Sequence, residues 1–185
     1  CWSGGALKPL VANRSSTVND VSKDGKLLVG SNPVSATIAP VATKWSVAAS
    51  GTSAAISLGD LAGGVVESEA NRISGNGNTI VGWGTSTSGV EAFRIVGTGT
   101  MTALGDLTGG KFFSEAAAVS TDGSVVVGRS HSTKGPEAFR WTSATGMVAL
   151  GDLPGGAVYS EATGVSGDGT IVVGMSCSTV EAAVF

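Results

Sequence analysis

The chain has 185 residues, and 14% of them are charged. Its formal net charge is −3 and its mean hydropathy is +0.28. This charge argues against a nucleic-acid partner, since such modules usually carry a basic stripe, and no apolar run reaches the roughly 18 residues of a membrane helix. Glycine accounts for 29 residues. Few charges beside many Gly, Ser, Thr and Val favour β-structure with tight turns and a surface that relies on hydroxyl groups.

The two cysteines and the first residue suggest a compartment. The sequence begins at Cys1 rather than Met, which we interpret as a secreted chain whose signal peptide has been removed. Cys1 and Cys177 are compatible with one disulfide in an oxidising environment. A free thiol or a lipid anchor at Cys1 remains an alternative.

A pattern of three short motifs recurs along the chain. The motif LGDL occupies Leu58–Leu61, Leu104–Leu107 and Leu150–Leu153. Ser-Glu-Ala begins at Ser68, Ser114 and Ser160, and an Asx-Gly pair begins at Asn76, Asp122 and Asp168. Every step is 46 residues, and a period of about 20 to 50 residues indicates a repeat architecture.

Within one period, the third copy predicts four short strands. They are Glu115–Ser120, Val125–Ser130, Glu137–Thr142 and Met147–Leu150. The first two flank Asp122-Gly123, and an Asx-Gly pair is the strongest short signal for a hairpin. Gly128 interrupts the second strand, which suits a bulge or the close approach of a neighbouring backbone.

Four antiparallel strands in 46 residues match the content of one β-propeller blade. The sequence therefore predicts an all-β β-propeller of four blades, a single repeat domain over residues 1–185. The approximate blades are 12–58, 64–104, 110–150, and 156–185 completed by 1–11. A parallel β-solenoid is the second interpretation.

The last copy stops at Phe185, within its third strand, while the N-terminal segment CWSGGALKPL resembles the missing end of a blade. We therefore expect the last blade to be split between the two termini. Such a blade closes a ring and removes free sheet edges, or it completes the blade of a neighbouring subunit by strand addition. A Cys1–Cys177 disulfide would latch it in either case.

The combined pattern LGDLPGG…SEA.GVS.DG..VVG…EAFRWT resembles the HAF repeat family, described as extracellular bacterial repeat proteins. The resemblance covers nearly the whole chain. The third copy is the closest match and the first is weak, while Ala183 and Val184 replace the Phe-Arg pair in the fourth. The resemblance implies secretion and a repeat scaffold, and it implies no established activity.

Repeated aspartates have a structural interpretation. Those of the LGDL motif and of the Asx-Gly pairs are expected to accept hydrogen bonds from turn amides. They are Asp60, Asp106 and Asp152 in the first group, and Asp122 and Asp168 in the second. A ring of calcium ligands is the alternative for the first group, but calcium sites usually need several oxygens from one compact loop. We predict no metal and no cofactor.

Three glutamates precede the strand expected to lie innermost, so they could form an acidic ring at one mouth of a channel. They are Glu69, Glu115 and Glu161. Such a ring could bind a cation or a sugar amine, while the plainer interpretation is pairing with Arg94, Arg140 or backbone amides of the adjacent blade. Trp83 departs from the repeat pattern and is the aromatic most suited to stacking on a ligand.

Catalytic candidates are few. His131 is the only histidine and occurs in one copy only, and no known nucleophile, metalloprotease or phosphate-binding motif is present. We predict a secreted, non-enzymatic structural protein that serves as an extracellular scaffold or a self-assembling surface or filament subunit. A glycan- or protein-binding module is the alternative. A glycoside hydrolase ranks third, because paired carboxylates could support that reaction.

Overall fold

The structure is a computed structural model and describes residues 2–3, 6–7, 16–35, 38–48 and 53–177. In these residues the regular secondary structure is β-strand throughout, with no helix. The predicted all-β class is therefore confirmed. No helix long and apolar enough to cross a membrane is found in this part of the chain.

The strands follow the sequence repeats. An N-terminal hairpin consists of β1 (Trp2–Ser3) and β2 (Ala6–Leu7). The first repeat contains β3 (Thr17–Val21), β4 (Leu27–Ser35), β5 (Ile38–Val47) and β6 (Ser53–Gly59). The second contains β7 (Gly63–Ile73), β8 (Thr79–Ser86), β9 (Gly89–Val96) and β10 (Thr102–Ala103). The third contains β11 (Gly109–Val119), β12 (Val126–Ser132), β13 (Gly135–Thr142) and β14 (Gly146–Gly151). The fourth begins with β15 (Ser160–Val165) and β16 (Val172–Ser176).

Each of the first three repeats is an antiparallel meander in chain order. A parallel bridge between Phe113 of β11 and Val90 of β9 joins the second sheet to the third. All four strands predicted for the third copy are present. The first of them begins earlier than expected, at Gly109.

The turn between the first and second strands of a repeat is built by a serine and an Asx side chain. In the third repeat, Ser120 Oγ donates to Asp122 Oδ1 over 2.7 Å, and the same oxygen accepts from Ser124 N over 2.9 Å. Gly123 has a φ of 78° and its N–H donates to Ser120 O over 3.0 Å. The Asp122 carboxylate folds the chain in this way, and the turn closes at a bond of 2.9 Å from Ser120 N to Val125 O, at the strand ends that the sequence predicted.

Gly128 lies where the backbones of β11 and β12 approach each other closely. A Cβ atom at this position would overlap the carbonyl oxygen of Glu115. The register of β11 shifts between Ala116 and Ala118, opposite this glycine, which is a β-bulge. The glycines at the equivalent positions, Gly30, Gly82 and Gly174, meet the same obstacle. The predicted bulge with close backbone approach is confirmed.

Consecutive repeats are joined by a buried serine, the Ser of the Ser-Glu-Ala motif. Ser114 Oγ accepts from Ala92 N over 2.9 Å and donates to Gly105 O over 2.6 Å, so that it bridges the second and third repeats. Ser68 and Ser160 make the equivalent pairs of bonds at the two other joints. All three serines are buried. The motif therefore satisfies backbone groups that a joint would otherwise bury without partners.

The apolar core lies between repeats rather than within one sheet. At the joint between the second and third repeats, Val81 packs with Ala116, Val126 and Phe139. At the joint between the third and fourth repeats, Val127 is the equivalent residue and packs with Ala162 and Val172. A repeat of this kind buries its apolar face only when the next repeat covers it.

The termini bear on the predicted split blade. The hairpin of β1 and β2 and the hairpin of β15 and β16 form separate two-stranded sheets in the described part of the chain. Cys177 is exposed and makes no disulfide to a described residue. Cys1 and residues 178–185 lie outside the described residues, so the split blade and the disulfide stay predictions.

Candidate functional site

The aspartates of the LGDL motifs bind groups in the repeat that follows them. Asp60 accepts hydrogen bonds from Glu67 N and Thr85 N, each over 3.0 Å. Asp152 accepts from Tyr159 N over 3.3 Å. Asp106 and Asp152 also accept from the hydroxyl groups of Ser130 and Ser176, respectively. No cluster of three metal-ligating side chains occurs among the described residues. The carboxylates are therefore engaged in turn and strand contacts.

The aspartates of the Asx-Gly pairs are fully engaged in their own turns. Hydrogen bonds from Ser124 and Ser120 lower the pKa of Asp122 to about 2. Bonds from Ser166 and Thr170 lower the pKa of Asp168 to about 2. Both carboxylates are solvent-exposed and ionised at neutral pH, where they stabilise the turns.

Glu69, Glu115 and Glu161 occupy equivalent places on β7, β11 and β15, and we call them the glutamate row. Asn19 Nδ2 donates to Glu69 Oε1 over 2.7 Å and Asn71 Nδ2 to Glu115 Oε1 over 3.2 Å. Each asparagine belongs to the repeat before its glutamate. Each glutamate of the row therefore lies at a joint between repeats. At each of the first two joints, its carboxylate accepts a hydrogen bond from an asparagine amide of the preceding repeat.

The third joint replaces the amide by a guanidinium. Arg129 lies 4.0 Å from Glu115 Oε2 and 3.6 Å from Glu161 Oε2, and it donates to the Tyr159 hydroxyl over 3.0 Å. Its guanidinium carbon lies 5.2 Å from the ring centre of Phe113 and 6.0 Å from that of Tyr159. Stacking of this kind holds the planar group in place.

The partners of the row therefore differ from those expected. Arg94 and Arg140 make no ion pair within the described residues, because they lie on β9 and β13, the third strands of their repeats. The asparagines and Arg129 lie on first and second strands, directly beside the row. Sequence spacing did not distinguish these positions.

A shallow cleft of about 290 Å³ opens between Glu69 and Glu115 and is lined also by Asn19, Asn71 and Arg72. Burial raises the pKa of Glu115, while the Asn71 amide and Arg129 oppose that rise. The cleft is acidic and polar, and it offers carboxylate oxygens to a cation or an amine. Its carboxylates already have partners, and no nucleophile–base pair is arranged there among the described residues.

Trp83 lies directly across from Glu69 in the register of β8 and β7. It is half-buried and occupies the position that Arg129 has in the third repeat. The structure therefore places Trp83 next to the glutamate row, although it does not line the cleft. His131 instead lies at the end of β12, with its ring 5.0 Å from that of Phe113, and burial lowers its pKa.

A second cavity, of about 280 Å³, lies between the second and third repeats and combines Arg94, Trp141, Thr100, Thr102 and Leu104. The Arg94 guanidinium carbon lies 5.4 Å from the centre of the Trp141 ring, and its Nε is buried without a hydrogen-bond partner among the described residues. A cation over an aromatic face, beside threonine hydroxyls, suits an acidic sugar.

The sequence reasoning missed this cavity, although the repeats contained a signal for it. At the position of Trp141 the preceding repeat has Ile95, and at the position of Arg94 the first repeat has Lys44. Among the described residues, only the joint between the second and third repeats pairs an arginine with a tryptophan. This difference becomes visible when a third-strand residue of one repeat is compared with the third-strand residue of the next repeat that lies opposite it, rather than with its neighbours in the same repeat.

Comparison with known proteins gives a fold and no family. No protein-family model matches the chain, and no curated protein matches it. The crystal structure of TolB from Acinetobacter baumannii is similar with a TM-score of 0.62 at 15% identity, over 91% of this chain and 39% of that one. A protein assigned as TolB from Agrobacterium tumefaciens gives 0.61 at 16% identity, over 91% and 56%.

TolB contains a β-propeller, so the likeness supports a propeller-like, all-β fold. At these identities it shows the fold alone. The chain spans less than two thirds of the length of either of these structures.

Proposed function

We propose that the protein is a secreted, non-enzymatic structural repeat protein, an extracellular scaffold or self-assembling surface subunit. One observation carries the proposal: the serines and aspartates that recur with the repeat are engaged in structural contacts, either between repeats or within the turns. Ser68, Ser114 and Ser160 bridge the joints, and the repeated aspartates bond turn and strand groups. An enzyme generally breaks its own repeat symmetry to build a site, and in this chain the recurring serine and aspartate side chains have structural partners.

The finer architecture that we propose is four blades, the last one made of β15, β16 and the terminal segments. Its support is the serine–Asx turn, which begins at Ser22, Ser74, Ser120 and Ser166. The proposed extracellular location rests on the resemblance to HAF repeats and on the low charge of the chain.

The second candidate function is binding of a glycan, and the Arg94–Trp141 cavity is the observation that favours it. The guanidinium has no carboxylate partner among the described residues, so it is available to an acidic group of a ligand. The cavity combines aromatic and apolar lining with a few polar groups, as small-molecule sites usually do.

The scaffold function is tested by electron microscopy of the purified protein together with a turnover assay on a polysaccharide panel. We expect ordered assemblies and no turnover. Turnover that disappears in Glu115→Gln or Glu161→Gln would overturn the proposal in favour of a hydrolase.

Glycan binding is tested on an array that includes acidic sugars, with Arg94→Met compared with Arg140→Met. Arg140 is the equivalent arginine on β13, so it controls for loss of one positive charge. Binding of monodisperse particles to an acidic glycan, lost in Arg94→Met and kept in Arg140→Met, would favour the binding module over the scaffold.

A further inference from the structure

The first and fourth repeats expose apolar residues at positions whose counterparts at the joints inside the chain are buried or half-buried. One side of each repeat packs against the repeat before it in the chain. On this side Ala70, Ala116 and Ala162 are all 0% exposed. Val18 occupies the same position in the first repeat and is 40% exposed. Val21 is 49% exposed, and its counterpart Ile73 is 6% exposed. We call Val18 and Val21 the leading face.

The opposite side of the fourth repeat shows the complementary exposure. Val29, Val81 and Val127 each pack under the following repeat and are 0% exposed. Their counterpart Val173 is 43% exposed, and its neighbours Ile171 and Met175 are 54% and 49% exposed. We call these three residues the trailing face.

Repeat proteins usually end in capping repeats with a polar outer surface, because an uncapped end leaves the apolar joint surface in water. Among the described residues, the first and fourth repeats have the apolar leading and trailing faces at these positions instead. The polar part of the joint is also retained at the leading face, since Ser16 stands at the position of Ser68, Ser114 and Ser160. Its hydroxyl donates to Asn32 within its own repeat, over 2.9 Å.

From these features we infer that the trailing face of one chain packs on the leading face of a second copy and repeats the internal joint between molecules. The inference rests on the proposed scaffold function and specifies its contact. Three internal joints define which surface covers which: a valine of one repeat lies against an alanine of the next. Within one chain the two faces do not cover each other, because both are exposed. No strand pairing joins β3 to β15 or β16 within the described residues.

Such a contact is heterologous, because it joins two different surfaces. Heterologous contacts propagate into a closed ring or an open filament, according to the rotation from one copy to the next. The predicted products are therefore a series of oligomers that grows with protein concentration, rather than a dimer alone.

The test uses two variants of the full chain, Val173→Asp in the trailing face and Val18→Asp in the leading face. A carboxylate buried in an apolar contact without a partner is strongly unfavourable, so we expect each variant to self-associate at least about tenfold more weakly than the wild type. Sedimentation velocity across a concentration series measures this. Val148→Asp is the matched control, because Val148 is 48% exposed on β14, away from both faces.

The decisive sample is an equal mixture of the two variants. Val18→Asp keeps an intact trailing face and Val173→Asp keeps an intact leading face, so the mixture should form a species of two chains and none larger. Circular dichroism and thermal unfolding of each variant establish that it is folded. A folded pair that stays monomeric when mixed would overturn the inference.

Other outcomes identify other occupants. Wild-type protein that stays monomeric at every concentration means that this chain or another partner covers the faces, and it overturns the inference. Assembly blocked only by Val173→Asp means a symmetric contact between fourth repeats and overturns it too. Assembly that is unchanged in both variants would overturn the proposed contact but not the scaffold function. Turnover of a polysaccharide would overturn the scaffold function, whatever the effect of the two variants on assembly.

Discussion

The joint between the second and third repeats and the joint between the third and fourth share one buried layer and differ in the polar contacts beside it. Both have a serine bridge and a fully buried valine, Val81 in one and Val127 in the other. At the first of them the neutral Asn71 amide binds Glu115, and at the second the charged Arg129 binds Glu161. The apolar layer and the serine are therefore common to both joints, whereas the polar contact differs between them.

The largest effect is expected from the apolar layer. Phe139→Ala removes a side chain that is 0% exposed at the joint between the second and third repeats. We expect a loss of about 3–5 kcal/mol in the free energy of unfolding, because a large cavity remains. Urea denaturation measures it. Val148→Ala, on an exposed outer strand, should stay within about 0.5 kcal/mol of the wild type; comparable losses in the two variants would contradict the assigned core.

The serine bridges should be equivalent at the two joints. Ser114→Ala and Ser160→Ala each leave a buried amide and a buried carbonyl without a partner, so each should lose about 1–3 kcal/mol. The same denaturation assay compares them, with the exposed Ser88→Ala as the control. A loss at one joint only would show that the joints differ in their buried layer as well.

The polar contacts should separate the joints by their response to salt. Arg129→Met is expected to lose about 1 kcal/mol, and the loss should shrink in 1 M NaCl, since ion pairs near the surface are screened. Asn71→Ala removes the hydrogen bonds that an uncharged amide donates to Glu115 and to the Ala116 carbonyl, and it should lose a similar amount at both salt concentrations. Equal salt dependence of the two variants would argue against the ion pairing of Arg129.

Acidity should separate the glutamate row from the turns. The raised pKa of Glu115 means that its contribution to stability is full below its ordinary value of 4.5 and is lost as the pH rises through the folded-state pKa. Glu115→Gln should therefore flatten the decline in melting temperature above pH 4.5. We expect this effect to be smaller than the pH dependence of the turn aspartates, since Asn71 and Arg129 oppose the rise in the pKa of Glu115.

The turn aspartates should have the opposite dependence. The pKa of Asp122 is lowered from 3.8 to about 2, so its contribution is present above pH 3.8 and is lost as the pH falls toward 2. Asp122→Asn should remove its share of the acid-induced loss while the turn persists, because Asn76 makes the same contacts in the second repeat. Melting temperatures from pH 5 to pH 2 measure this, and an unchanged acid limb in Asp122→Asn would contradict the assignment.

Features within one repeat could be predicted from the sequence because their causes are local. The 46-residue spacing, the four strands of the third copy and the bulge opposite Gly128 all follow from strand alternation, turn residues and the absence of a side chain. The hairpin turn between Ser120 and Val125 was predicted as well, whereas the hydrogen bond from the Ser120 hydroxyl to Asp122 that shapes it was not.

Features between repeats were decided by the tertiary structure, because each depends on which surface of the next repeat lies opposite. The sequence placed Glu115 and Glu161 at equivalent positions but could not choose Arg129 over Arg140 as their partner. In the same way, Arg94 and Trp141 are 47 residues apart and meet only because two sheets are stacked. The sequence shows that Val173 is the apolar counterpart of Val81 and Val127. That Val173 is exposed, whereas those two valines are buried, depends on the position of the fourth repeat in the fold.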